Sequence, residues 1–141
     1  MSKYILVLSL VVLTFIAAAC GSGSDGAASG KTIKSGPAGN NLTATLSNSD
    51  GVLRKGAQEF ALTFTDASGK PVDVGSVALN YNMPAMGTMP TMNNAATFTT
   101  TNTPGVYRGK VDIEMAGEWQ SQITYDGSAG KGKFTLPVTA Q

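Results

Sequence analysis

Residues 119–125 read Trp-Gln-Ser-Gln-Ile-Thr-Tyr, a run in which Trp119, Ser121, Ile123 and Tyr125 alternate with glutamine and threonine. Successive side chains of an extended chain point to opposite faces, so these four residues share one face. A period of two is typical of a β-strand with one buried face and differs from the 3.6-residue period of a helix. The run therefore predicts a β-strand whose tryptophan fills a core.

Six other short runs also predict strands, and clusters of Gly, Asn, Asp and Pro separate them. Five of these runs alternate in the same way, and their shared-face positions are Leu42, Ala44 and Leu46; Phe60, Leu62 and Phe64; Val77, Leu79 and Tyr81; Tyr107, Val111 and Ile113; and Phe134, Leu136 and Val138. The sixth run, residues 96–101, is rich in threonine. No stretch of the chain beyond residue 20 shows a helical apolar period. We predict an all-β domain, an immunoglobulin-like β-sandwich of about seven strands.

The first nineteen residues predict an export signal. Lys3 precedes an uncharged, mainly aliphatic segment that is shorter than the roughly 20 apolar residues of a membrane span. The segment ends in three alanines and Cys20, a pattern that resembles the lipobox of bacterial lipoproteins. We expect cleavage before Cys20, lipidation of its thiol, and a location outside the cytoplasm, on the periplasmic side or the cell surface. An uncleaved anchor helix and a plain secretory signal are the alternatives.

Composition divides the chain into three parts. Residues 1–19 form the predicted signal peptide, and residues 20–39, rich in Gly, Ser and Ala, predict a flexible tether to the membrane. Residues 40–141 are enough for one small domain with one core. The predicted architecture is therefore a single domain held to a membrane by lipid.

Charge and residue types restrict the chemistry. Removing Lys3 with the signal leaves nine of the ten Lys and Arg residues against nine Asp and Glu, so the mature chain has no net charge. No basic patch is available for a nucleic-acid partner. The chain has no histidine and only one cysteine, which excludes His-based catalysis and His-based metal sites. We expect a non-enzymatic protein without an organic cofactor.

The segment 82–94 interrupts the strand pattern. It contains four methionines, one at every third position, with two prolines and a glycine between them. Proline and glycine argue against a helix and against a central strand, so the sequence predicts a loop at one end of the sandwich. The four methionines are Met83, Met86, Met89 and Met92.

Thioethers are neutral, soft ligands that select Cu(I) among biological metals. The four methionines therefore predict a Cu(I) or Ag(I) site, which would keep its ligands in acid because no proton is displaced. Met115 could add a fifth sulfur, and Trp119 could place its indole face beside the cation. Two alternatives remain open, because methionine also serves adaptable protein-docking surfaces and fills gaps in cores.

Several motifs together resemble the YtkA-like/FixH-like family of small exported β-sandwich domains, over about residues 40–140. They are the segments 56–64, 66–72, the Met-Pro-Ala-Met run at 83–86, Pro-Gly-Val-Tyr at 104–107 and Gly-Glu-Trp at 117–119. The resemblance implies an accessory role in copper handling, beside heavy-metal efflux or oxidase-assembly proteins. It also implies that Gly105, Tyr107 and Trp119 are framework residues. Relatives often carry histidine in the methionine segment; this chain has none, which favours Cu(I) over Cu(II).

Overall fold

Nine β-strands and no helix make up residues 30–141, the part of the chain that the computed structural model describes. The strands are β1 (Lys31–Gly39), β2 (Leu42–Asn48), β3 (Gly56–Thr65), β4 (Ser76–Met83), β5 (Met92–Ala95), β6 (Thr97–Thr100), β7 (Val106–Ile113), β8 (Gly117–Gly127) and β9 (Gly130–Ala140). None of these residues belongs to a helix long and apolar enough to cross a membrane. The predicted signal peptide and Cys20 lie outside the described residues.

The strands form two antiparallel sheets. The five-stranded sheet has the order β1-β2-β3-β7-β6, and the four-stranded sheet has the order β5-β4-β8-β9. The predicted all-β sandwich is confirmed, and each of the seven predicted strands is present. Two further strands, β1 and β5, were not predicted from the sequence. They lie at sheet edges, where a strand needs only one hydrogen-bonded neighbour.

The core lies between the two sheets and consists of the side chains predicted to share inner faces. Trp119 is 1% exposed, and Phe64, Leu62 and Ile123 are fully buried. Phe64 makes edge-to-face contacts with the rings of Tyr107, Tyr125 and Phe134. Burying a large apolar side chain contributes about 1.5–3 kcal/mol. Contacts between rings on both sheets therefore hold the sandwich closed.

Residues 31–39 are not a tether, and the prediction was wrong for this part of 20–39. They form β1, which pairs with β2 through a tight turn at Asn40 and Asn41, whose φ angles of 53° and 59° fit a type I′ turn. The Tyr125 hydroxyl donates to the Ala38 carbonyl at 3.0 Å, and the Asn40 amide donates to the Tyr125 hydroxyl at 3.0 Å. Backbone pairing and these bonds order a segment that has few apolar side chains to bury.

Candidate metal centre

The four methionines lie on a hairpin that connects β4 to β5, which we name the methionine hairpin (residues 83–92). Met83 lies opposite Met92 in the pairing of the two strands. Closer to the tip, Met86 and Met89 exchange two backbone hydrogen bonds, with N–O distances of 3.1 and 2.9 Å. The predicted loop is therefore an ordered hairpin with two cross-strand methionine pairs.

The turn at the tip is made by Gly87 and Thr88. Gly87 has a φ of 58°, which fits the first central position of a type II′ turn, where glycine is preferred. Pro84 and Pro90 lie between the two methionine pairs, and neither has an N–H to donate. The prolines interrupt the hydrogen-bonded ladder of the hairpin. They separate its tip, which carries Met86 and Met89, from its base, which carries Met83 and Met92.

The two methionine pairs differ in burial. Met83 is 2% exposed and belongs to the core, and Met92 is partly buried against it. Met86 is 57% exposed and Met89 is 38% exposed, and they are the large hydrophobic side chains on the surface of residues 30–141. The structure thus brings the methionines together as an inner pair and an outer pair. Met83 packs as the core-filling alternative predicts.

Met115 lies near the base of the hairpin, in the connection between β7 and β8. It is partly buried against the core, and its carbonyl accepts the indole N–H of Trp119 at 3.1 Å. The Cε atom of Met83 lies 2.9 Å from the position that a Cβ on Gly117 would occupy. A side chain at residue 117 would therefore require the terminal methyl group of Met83 to move, so glycine leaves room for that methyl group.

The donor set of the hairpin fits a soft cation. Residues 82–94 carry no charged side chain, and no group of three or more His, Cys, Asp or Glu that could hold a metal occurs in residues 30–141. Hydrogen-bonded partners such as Met86 and Met89 have Cα atoms about 5.5 Å apart. Because methionine has three rotatable side-chain bonds, the two sulfurs can turn toward one ion between them.

Polar side chains stiffen the base of the hairpin on its outer face. The Asn93 Oδ1 atom accepts hydrogen bonds from the Asn80 and Asn82 side-chain amides, at 3.0 and 2.9 Å. These three residues lie on β4 and β5, so the bonds join the two strands beyond their backbone ladder. The rigid base holds the methionine pairs in a fixed position relative to the sandwich.

The methionine hairpin projects from the same end of the sandwich at which the described residues begin and finish. Lys31 lies opposite Asn48, so β1 begins where β2 ends. Ala140 lies opposite Gly117, so β9 ends where β8 begins, beside the end of β4. Leu53, in the loop after β2, forms a bridge with Ala140 and joins the two sheets there. We name this the hairpin end.

An open groove of about 740 Å³ lies between the loop after β2 and the loop before β7. Both carboxylates that line it are paired with cations: Asp50 lies 2.7 Å from Arg54, and Glu59 lies 3.0 Å from Lys110. Hydrogen bonding to Arg54 lowers the pKa of Asp50, and hydrogen bonding to Lys110 lowers that of Glu59. A carboxylic acid that acts as a general acid near neutral pH needs a raised pKa. The lowered pKa values of Asp50 and Glu59 therefore do not suit that role.

The sandwich, with thioethers displayed on an end hairpin, defines the class of the protein as a small β-sandwich domain with a methionine-tipped loop. The family is shown directly, because the YtkA-like family model matches residues 38–124. The chain belongs to this family. The match covers the methionine hairpin and extends from the end of β1 into β8. No curated protein matches the chain significantly.

Proposed function

We propose that the protein is a lipid-anchored, non-enzymatic accessory protein of the cell envelope that binds Cu(I) or Ag(I) as a carrier or buffer. The methionine hairpin supplies the ligands: Met83, Met86, Met89 and Met92. The proposal rests chiefly on the exposure of Met86 and Met89, which face each other across a tight turn at 57% and 38% exposure. An exposed apolar side chain does not gain the favourable free energy of removing its surface from water. Coordination of a soft ion by the two sulfurs would account for the exposed position of both side chains.

The donor chemistry supports a monovalent soft ion over other metals. Thioether sulfur binds Cu(I) without losing a proton, whereas Mg²⁺ and Ca²⁺ prefer oxygen ligands and Zn²⁺ favours thiolate, imidazole or carboxylate. Four neutral sulfurs would leave the charge of a divalent ion uncompensated. The copper-handling role that the YtkA-like resemblance implies agrees with this chemistry. We therefore propose heavy-metal efflux or oxidase-assembly proteins as partners.

The position of the hairpin supports a role close to the membrane. Ten peptide units separate Cys20 from Gly30, and they span at most about 35 Å. Because the described chain begins at the hairpin end, a lipid on Cys20 would attach the domain to the bilayer through that end. Ion exchange would then take place at the end of the domain that carries the attachment.

We expect Cys20→Ser to abolish incorporation of a labelled fatty acid and to leave the chain at its uncleaved mass. The reason is that the thiol of Cys20, the only one in the chain, is the proposed site of acylation. Mass spectrometry of the purified protein and fatty-acid labelling in cells measure both outcomes. Continued labelling of the serine variant would contradict the anchor.

Replacing all four hairpin methionines with leucine is expected to weaken Ag(I) binding by at least about 100-fold. Leucine keeps the apolar bulk, and a Leu-for-Met exchange usually costs less than about 1.5 kcal/mol in a core, so the fold should persist. The measurement is a competition titration with a soluble chelator in detergent. Both proteins should be full chains with Cys20→Ser, so that no thiol contributes.

The matched control for this titration is pH. Carboxylates with ordinary pKa values take up protons when the pH falls from about 7 to about 4, whereas thioethers do not titrate in that range. The Ag(I) affinity of the unsubstituted hairpin should therefore stay constant after correction for the chelator. Equal Ag(I) affinity of the methionine protein and its leucine variant would contradict a thioether site. A loss of Ag(I) binding in acid would contradict it as well.

The alternative function is docking onto another envelope protein. The same exposed pair, Met86 and Met89, favours it, because exposed methionines form adaptable contact surfaces. The leucine variant separates the two functions, since leucine keeps an apolar surface and removes the sulfur. A variant that retains its protein partner and loses Ag(I) supports metal binding, whereas a partner complex with no Ag(I) binding by either protein supports docking.

A further inference from the structure

The outer pair, Met86 and Met89, presents two thioethers at one point of the surface. The two residues lie directly opposite each other across the turn, and opposed residues of an antiparallel pair place their side chains on the same face. They are the exposed large hydrophobic side chains of residues 30–141. Both side chains are therefore open to small molecules dissolved in water.

The other methionines of the described chain provide a contrast within the same molecule. Met83 is buried in the core, and Met92 and Met115 are partly buried against that core. Two thioethers are thus open to solvent, two are partly covered and one is closed off. A reagent that attacks methionine sulfur from solution should distinguish these three groups.

Peroxides are such reagents, because they convert a thioether to a sulfoxide. The S–O bond forms as the O–O bond of the peroxide breaks, and the sulfur gives two electrons to the peroxide, whose other oxygen leaves as water. The new bond uses one of the two lone pairs of the sulfur and produces a polar group with a hard oxygen donor. Soft ions such as Cu(I) and Ag(I) do not favour that donor.

The tip of the hairpin can accept this modification without unfolding. Backbone hydrogen bonds between Met86 and Met89 hold the tip, and side-chain bonds to Asn93 hold the base. None of these bonds uses a thioether. A sulfoxide on the outer pair would remain in water, whereas a sulfoxide on Met83 would bury a polar group at a cost in free energy. Oxidation of the outer pair would therefore change the ligands and leave the fold.

We propose that Met86 and Met89 are a reversible oxidation site, and that sulfoxide formation at this pair switches off soft-cation binding by the methionine hairpin. The inference rests on the proposed function and deepens it by giving the same site a regulation. The oxidant is a peroxide. A methionine sulfoxide reductase reverses the change: the sulfoxide oxygen leaves as water while two thiols become a disulfide. A bound ion occupies the lone pairs that the peroxide attacks, so the ion and the oxidant compete.

Peptide mapping by mass spectrometry tests the site. The full chain carrying Cys20→Ser, in detergent and without metal, is treated with hydrogen peroxide, and the sulfoxide at each methionine is followed over time. We expect Met86 and Met89 to be oxidised at least about tenfold faster than Met83, because the oxidant reaches Met83 only when the structure opens locally. In urea that unfolds the chain, the rates should converge.

A chelator competition titration with Ag(I) tests the switch. Chains with an oxidised outer pair and an intact Met83 should bind Ag(I) at least about tenfold more weakly than untreated chains. Reductases for both sulfoxide epimers, with dithiothreitol that is removed before titration, should restore the affinity. Ag(I) added before the peroxide should slow oxidation of the outer pair. The matched control is Met86→Leu with Met89→Leu, whose residual Ag(I) affinity should not change under the same peroxide treatment.

The outcomes separate this inference from the proposed function. Equal oxidation rates of Met83 and the outer pair in the folded chain overturn the oxidation site. Selective oxidation that leaves the Ag(I) affinity unchanged overturns the switch, while the metal-binding function stands. A chain that binds no Ag(I) before any oxidation overturns the proposed function, and the switch with it.

Discussion

Replacing Phe64 with alanine is expected to lower the free energy of unfolding by about 3–5 kcal/mol, the usual cost of removing a buried phenylalanine. Phe64 is fully buried and contacts three other rings edge to face. Tyr125 and Phe134 belong to the opposite sheet, so the cavity would open between the two layers. Typical domains are stable by only about 5–15 kcal/mol, and this single change would remove a large part of that.

Urea unfolding followed by Trp119 emission measures the effect. Phe98→Ala is the matched control, because Phe98 lies on the short edge strand β6, is partly buried, and contacts a single ring, Phe60. Its cost should be clearly smaller than that of Phe64→Ala, with similar denaturant slopes for both. Equal losses for the two variants would show that contacts across the sheets do not dominate the stability.

The seven strands that form the core could be predicted because burial of one strand face leaves an alternating pattern within the short run of residues that forms the strand. Every second side chain of a strand lies on its inner face. The alternation within a run such as Trp119 to Tyr125 therefore shows by itself which side chains face the core. Ser121 was read correctly as an inner residue from its position alone, and it is fully buried. The same locality explains why the fold class, but not the order of strands, followed from the sequence.

The strand β1 could not be predicted, because what orders it is distant in sequence. The Tyr125 hydroxyl binds the Ala38 carbonyl across 87 positions, and the backbone of β1 pairs with β2 without an apolar pattern of its own. Composition describes only the side chains that a segment can bury. The two asparagines of the turn, Asn40 and Asn41, were a local signal for a hairpin that the Gly-rich surroundings concealed.

The methionine hairpin was predicted in its residues and missed in its shape. Its sequence is symmetrical about Gly87 and Thr88, with a methionine next to the turn and another three positions further out on each arm. That symmetry and a Gly-X turn are the signature of a two-residue hairpin. The prolines argued against a strand, but they lie between the paired positions.

Gly105→Ala is expected to lower the free energy of unfolding by about 2–5 kcal/mol, since a left-handed conformation costs a residue with a Cβ about 1–2 kcal/mol and overpacking costs about 1–3 kcal/mol. Gly105 has a φ of 83°. A Cβ there would lie 2.5–2.7 Å from backbone atoms of Val72. The clash is with main chain, which cannot turn aside as a side chain can.

Gly69→Ala is the matched control, because Gly69 has a φ of 85° and an added Cβ would meet nothing within 4 Å. The difference between the two variants therefore isolates the approach of Gly105 to Val72. Gly105 also accepts the backbone N–H of Phe64 at 2.9 Å, so displacing it disturbs the core strand as well. Equal destabilisation in urea would mean that only the left-handed angle matters. A larger loss at Gly105 would explain physically why the turn before Tyr107 requires glycine.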